Sequence, residues 1–237
     1  MLADARPVTT RFPDALPIST FQEEAFQKLA SRDLTIDHAL WATSLCSDEV
    51  SNDFMRFYDQ FASHSPFILG GISGLPFAGI TGMRAFLSHV PDGGMAMILF
   101  GPHIGITKDG TLGKVTRHYQ QNPSTCCGSL AAGLESIRKL DMLPQDNPLD
   151  YQQARVVQHL YEAREEILSA SDPLLAATEV TYRAIEIKLY NVLAAAERGF
   201  EGIHVCLTGG IVINTDWGEE DHILVRHRNL ITLGQLA

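Results

Sequence analysis

The alternation of apolar and polar positions divides most of the chain into elements. From Ser19, the run STFQEEAFQKLAS spaces Phe21, Ala25, Phe26 and Leu29 along one face, behind a capping Ser or Thr and first-turn glutamates, which predicts a helix. DHALWATSLCSDEV is apolar up to Leu45 and then abruptly polar, as expected of a buried segment that ends at Cys46. SNDFMRFYDQFAS opens with a capping residue and lines up Phe54, Phe57, Tyr58 and Phe61, so Cys46 is expected in a loop ahead of a helix. MRAFLSH predicts a short helix, VPDGG a turn and MAMILF a strand, after which Pro102 and His103 interrupt the apolar run ILFGPHIGI. The Asp109-Gly110 pair predicts a hairpin turn.

In NPSTCCGSLAAGLESIRKL, Ser124 or Thr125 can cap a helix from about Cys126, with Leu130, Leu134, Ile137 and Leu140 on its buried side. Two longer helical patterns follow, DYQQARVVQHLYEAREEILSA and PLLAATEVTYRAIEIKLYNVLAAAERG, the second closed by Gly199. IHVCLTGGIVINT and HILVRHRNLIT predict terminal strands. Pro7, Pro13 and Pro17 predict an irregular lead over 1–18, followed by one domain over 19–237.

A chain that is 45% apolar over 237 residues can bury one substantial core. A formal charge of −10 disfavours nucleic acid and anionic membrane as partners, since both need clustered Lys and Arg. No run approaches a membrane span and the amino terminus shows no secretory pattern, so the cytoplasm is the expected compartment. Four cysteines are too few for a disulfide scaffold at this length and would remain thiols there.

Those thiols are the main candidates for chemistry. Zinc is served by two thiolates and one imidazole, which leaves a fourth position for water, and Cys46, His103 and one of the adjacent Cys126 and Cys127 supply that set. Neighbouring residues on a helix point a quarter-turn or more apart, so one site uses only one of the two. A first-turn cysteine also gains thiolate character from the helix dipole. A nucleophilic cysteine with His103 as its base, as in a hydrolase, is therefore an alternative. Cys206, within an apolar strand, reads as core. GGISGLPFAGITG holds five glycines among apolar residues, a composition for close backbone approach rather than a solvated linker.

SLCSDEV, GGISGLPFAGITG with HVPDGG, FGPHIGI, CCGSLAAGL and GGIVINTDWGEED, in this order over about residues 40 to 222, resemble the family of limiting-CO2-inducible proteins B and C. Catalytic members of that family are zinc carbonic anhydrases related to the β class. The resemblance implies an α/β fold like β-carbonic anhydrase, with a central sheet flanked by helices in a single domain, and a homodimer. It also implies one zinc on Cys46, His103 and Cys127, with CO2 and bicarbonate as substrate and product. Zinc's task would be to make hydroxide at neutral pH.

The same resemblance points to Asp48, which in the β class pairs with an arginine. Here no arginine follows within CSDEVSND, and Arg56 and Arg84 are the candidates expected to reach it. Failing that, Asp48 would ligate the zinc directly, or the chain would be a noncatalytic zinc-binding subunit of a CO2- or bicarbonate-handling complex. Phe77, Leu75 and the glycine loop are candidate walls for CO2, and His89 or His118 a candidate proton carrier.

Overall fold

The computed structural model describes residues 7–30, 38–51, 65–139, 142–143 and 145–234. Strand β1 (Leu16–Pro17) is followed by β2 (Ala39–Ser44), β3 (Phe67–Ile68), β4 (Met95–Phe100) and β5 (His103–Gly105); β8 (His204–Asn214) and β9 (His222–Thr232) end the chain. They form a seven-stranded sheet in the order β1-β9-β8-β4-β2-β3, with β5 also on β8. Strands β2, β3, β4, β5 and β8 pair in parallel, whereas β9 and β1 add antiparallel at one edge. The α/β architecture expected from the sequence, a helix-flanked central sheet in one domain, is the one found.

Strand β4 shows why the sheet is central. All six residues of MAMILF are buried. Met95, Met97 and Leu99 join Trp41, Ile18 and Phe21 in the core under helix α2 (Ile18–Ala30). Ala96, Ile98 and Phe100 face the larger core under the remaining helices, as the two-residue period of a strand requires. A strand covered on both faces reads as an unbroken apolar run, as central parallel strands do.

The remaining helices are α3 (Gly79–Leu87), α4 (Gly128–Lys139), α5 (Tyr151–Glu162), α6 (Arg164–Ser169) and α7 (Pro173–Ala196). The pattern expected as one long helix from Asp150 is divided at Ala163. Helix α7 is capped by Asp172, whose carboxylate accepts from Leu175 N at 3.1 Å, with Pro173 in its first turn.

From Pro7 on, the lead is more ordered than its prolines suggested. Pro7 starts helix α1 (Pro7–Arg11), where a missing N–H costs nothing, and Val8 and Phe12 are buried. Leu16 and Pro17 pair with Ile223 and His222 at the sheet edge, where proline is tolerated. The helix expected over Phe54 to Phe61, with Arg56, lies outside the described residues, as does Leu140.

The interruption in ILFGPHIGI is a break between two strands that share a neighbour. Phe100 pairs with Gly209 of β8 and His103 with Val212, while Pro102 O accepts from Val212 N at 3.0 Å. At Gly101 (φ 152°) a Cβ would fall 1.7 Å from Gly210 O, so only glycine lets the chains approach this closely. His103 re-enters the sheet as a buried strand residue rather than a polar strand end.

Candidate metal centre

The site lies beyond the carboxyl ends of β2 and β4, the usual ligand position in parallel sheets. Leu69 N and Gly70 N donate to Thr43 O, and Ser44 Oγ donates to Gly74 O at 2.9 Å. These bonds lay the glycine loop against the end of β2, two residues before Cys46. Within the loop Ser73 is held in the left-handed region (φ 56°, ψ 9°), a costly geometry for a non-glycine residue and one frequent at functional sites. It aims Ser73 N at Cys46 Sγ (3.1 Å), and Ser73 Oγ lies 3.7 Å from Cys127 Sγ.

Cys127 precedes α4, which starts at Gly128 rather than near Cys126. Its carbonyl accepts from Ala131 N at 3.1 Å, so the cysteine caps the helix instead of occupying its first turn. Cys46 Sγ and Cys127 Sγ are 4.0 Å apart, and the ligand atoms of Cys46, His103 and Cys127 all lie within 4.8 Å of one another. His103 is 1% exposed; its Nδ1 meets Asn214 Oδ1 at 2.8 Å, while its Nε2 is buried without a hydrogen-bond partner.

Cys126 is placed differently. Its Sγ lies 3.4 Å from His103 Nδ1 and 3.6 Å from Asn214 Oδ1, and Asp48, His103 and Cys126 form a second group of donors within 4.8 Å. Contact with the Cys46 thiol and the charge of His103 hold Cys127 well below the ordinary thiol range against the effect of burial, with further help from the Leu130 N–H. The same contact, then burial, push Cys46 up. Burial alone would lower His103, but the negative Cys127 and contacts with all three thiols raise it well above its usual value. Burial raises Cys126. Cys127 is thus the thiol that most readily becomes a thiolate, and the positive charge it attracts lies toward His103.

This donor set fits zinc. At about 2.3 Å from a tetrahedral zinc, two sulfurs stand roughly 3.8 Å apart, close to the spacing of Cys46 and Cys127. An imidazole nitrogen with no other partner completes the set, and a metal ion can replace the positive charge that the thiolate already attracts.

Arg84, expected near Asp48, is elsewhere. Its guanidinium donates to Ala196 O and Arg198 O at 2.9 and 2.8 Å and lies over the Phe200 ring, closing the carboxyl end of α7. The partner of Asp48 is Arg117, whose Nη2 donates to both carboxylate oxygens at 3.2 and 2.9 Å. Its Nε reaches Glu49 at 2.7 Å, and its Nη1 reaches Ser124 Oγ and Thr125 O. Burial would raise the Asp48 carboxyl, but hydrogen bonding with Glu49 and the charges of His103 and Arg117 leave it below the ordinary value.

Arg117 follows strand β6 (Lys114–Val115), which pairs antiparallel with β7 (Ser124–Thr125). An arginine in the hairpin leading into the cysteine pair was the available signal, and a search confined to residues just after Asp48 passes over it. His118 meets Tyr119 edge-on and lies tilted against Trp217, beside a cavity of about 300 Å³ that Arg117 and Asn214 also line. His89 is exposed beside Phe67.

A family model described as limiting CO2-inducible proteins B/C beta carbonic anhydrases matches residues 15–232, and the chain belongs to that family. Among solved structures it is similar to PtLCIB4, a homolog of the limiting CO2-inducible protein LCIB, at 28% identity and TM-score 0.86, covering 97% of this chain and 99% of that one. A histidine-to-alanine mutant of PtLCIB4 gives 29% identity and TM-score 0.88, with coverage of 95% and 93%. LCIB itself, at 22% identity, TM-score 0.73 and coverage of 97% and 99%, shares the fold. No curated protein matches the sequence. No helix among the described residues is long and apolar enough to cross a membrane.

Proposed function

We propose that this protein catalyses the reversible hydration of CO2 to bicarbonate and a proton, with zinc held by Cys46 Sγ, His103 Nε2 and Cys127 Sγ. The observation that carries the reading is a buried histidine with ligand atoms of two cysteines within 4.8 Å, and with its Nε2 left without a hydrogen-bond partner. When bound, zinc supplies the Lewis acidity that makes water a nucleophile at neutral pH.

The surrounding side chains do the rest. Two thiolates weaken a metal's positive charge, and the N–H groups of Ser73 and Leu130 counter this by drawing electron density from Cys46 and Cys127. Asp48, on Arg117, accepts a hydrogen bond from the attacking water and orients it toward CO2. The contact of Arg117 Nη2 with both oxygens keeps the carboxylate off the ion, which favours a working site over one closed by direct Asp48 ligation. Buried Leu75 and its neighbour Phe77, in the glycine loop that packs against Cys46, supply the apolar surface that would face CO2. His118, exposed beside the cavity that Arg117 also lines, takes the product proton to solvent. The family supports a homodimer, and a site that needs free thiols suits the reducing cytoplasm.

A cysteine whose thiolate is favoured beside a histidine also describes a cysteine nucleophile. Zinc quantification and stopped-flow CO2 hydration on one sample separate these readings. Stoichiometric zinc and hydration that chelation removes are expected. Activity that survives chelation and is lost on thiol alkylation rejects the zinc reading, and full zinc without hydration leaves a noncatalytic subunit.

A further inference from the structure

His103 is a ligand with two nitrogens, and something must decide which one is left for the ion. The hydrogen bonds behind it make that decision. Asn214, 1% exposed, ends β8 with its backbone fixed by the pairing of Gly105 with Asn214 and by Ile106 N donating to Asn214 O at 2.9 Å. Its Nδ2 lies 3.1 Å from Val50 O and 2.7 Å from Asp221 Oδ2. A backbone carbonyl and a carboxylate only accept, so the amide nitrogen must face them and Oδ1 must face His103. That oxygen has no hydrogen, so the 2.8 Å contact requires His103 Nδ1 to donate. In the neutral ring that binds a metal, the lone pair then belongs to Nε2, the atom without a partner. Asp221, 8% exposed, is held in turn by Thr215, whose N and Oγ1 both donate to Oδ1.

We infer that Asp221, acting through the Asn214 side chain, is a positioning residue that sets the tautomer of His103 and so presents Nε2 to the metal. The inference rests on the zinc reading for its functional consequence, though the proton placement stands on the hydrogen bonds alone. Partners of this kind behind a ligating histidine are typically worth a factor of about 10 to 100 in metal affinity.

The test is zinc affinity by chelator competition together with 15N NMR of histidine-labelled protein, the His103 signals being identified by their loss in His103→Gln. Asn214→Ala should weaken zinc binding by about 10- to 100-fold, and Asn214→Asp should also weaken it by setting two carboxylates against each other. The swap Asn214→Asp with Asp221→Asn restores one acceptor toward His103 and one amide donor behind it. It should recover most of the affinity and serves as the folding control. In wild-type protein Nδ1 should carry a proton both with and without zinc, and zinc binding should change the signal of Nε2 alone.

An unprotonated Nδ1 in the wild type, or unchanged zinc affinity in a folded Asn214→Ala protein, overturns the inference. A wild type that binds no zinc instead rejects the metal reading, and the metal-free spectrum still decides the tautomer.

Discussion

The Cys46–His103–Cys127 cluster and the Asp48–Arg117 pair adjoin each other, but different forces place them. The cluster is set by backbone: the end of β2, the first residue of β5 and the cap of α4 bring its donors together. The pair depends on side-chain reach. Arg117 extends from the β6–β7 hairpin to Asp48, and the two side chains are 14% and 15% exposed. The cluster's charges balance one another, whereas Arg117 must also satisfy Glu49, Ser124 and Thr125. A site built this way separates holding an ion from using it, and the two parts should fail differently.

The largest effect comes from removing the atom that defines the cluster. His103→Ala should lose bound zinc and CO2 hydration together, as metal analysis and stopped-flow rates on one preparation would show. Retained metal would exclude His103 from the ligand set. Next comes the contrast between neighbours. Cys127→Ser should lose stoichiometric zinc, because Cys127 Sγ lies 4.0 Å from Cys46 Sγ in the proposed ligand set. Cys126→Ser should keep it with affinity lowered about tenfold or less, since Cys126 contacts Asn214 and Nδ1 as an outer partner. The reverse result would transfer the site to the Asp48–His103–Cys126 group.

The terminal strands, the central strand and the body of α7 were legible because each is written in a local period, whereas the Asp172 cap of α7 was not named and the helix ends at Ala196, ahead of the Gly199 expected to close it. The cysteines and His103 stood out as rare residue types at element ends. Arg117 was not legible, since nothing local marks which arginine a carboxylate 69 residues away will meet. Arg56 and Arg84 are nearer to Asp48 in sequence, yet Arg84 is committed to the carbonyls ending α7. Asn214 and Asp221 were hidden for a related reason: GGIVINTDWGEED was recognisable as a block, but the roles of its polar residues appear only once β8 lies beside β5. The helical start expected at Cys126 failed by two residues, enough to turn Cys127 from a first-turn residue into a cap.

Arg117 sharpens the contrast from the other side. Arg117→Leu should leave zinc content unchanged and lower turnover, because Asp48 loses the grip that keeps it on the attacking water. It should also cost about 2 to 3 kcal/mol of stability, the scale for lost hydrogen bonds to a charged group. Arg117→Lys should restore part of both, since a lysine keeps the charge beside Asp48 but not the separate nitrogens that hold Glu49, Ser124 and Thr125. Urea unfolding and steady-state hydration on the metal-loaded variants measure these quantities. A fall in zinc occupancy comparable to that of Cys127→Ser would show that the two parts of the site are not separable.

The smallest expected effect is the pH dependence of the pair. Asp48 in the folded protein lies below its ordinary value of 3.8, so the unfolded chain binds its proton first as pH falls. The stabilisation is therefore complete above the unfolded value and is lost as pH drops through the folded one. Urea unfolding of chelated wild-type and Arg117→Leu proteins gives a stability difference in which protonation of the zinc ligands is common to both. That difference should be flat from about pH 8 to pH 5 and shrink only below about pH 4. A difference that already shrinks between pH 8 and pH 6 would mean that Arg117 is stabilised chiefly against the thiolate and imidazole cluster, and the division between the two regions would fail.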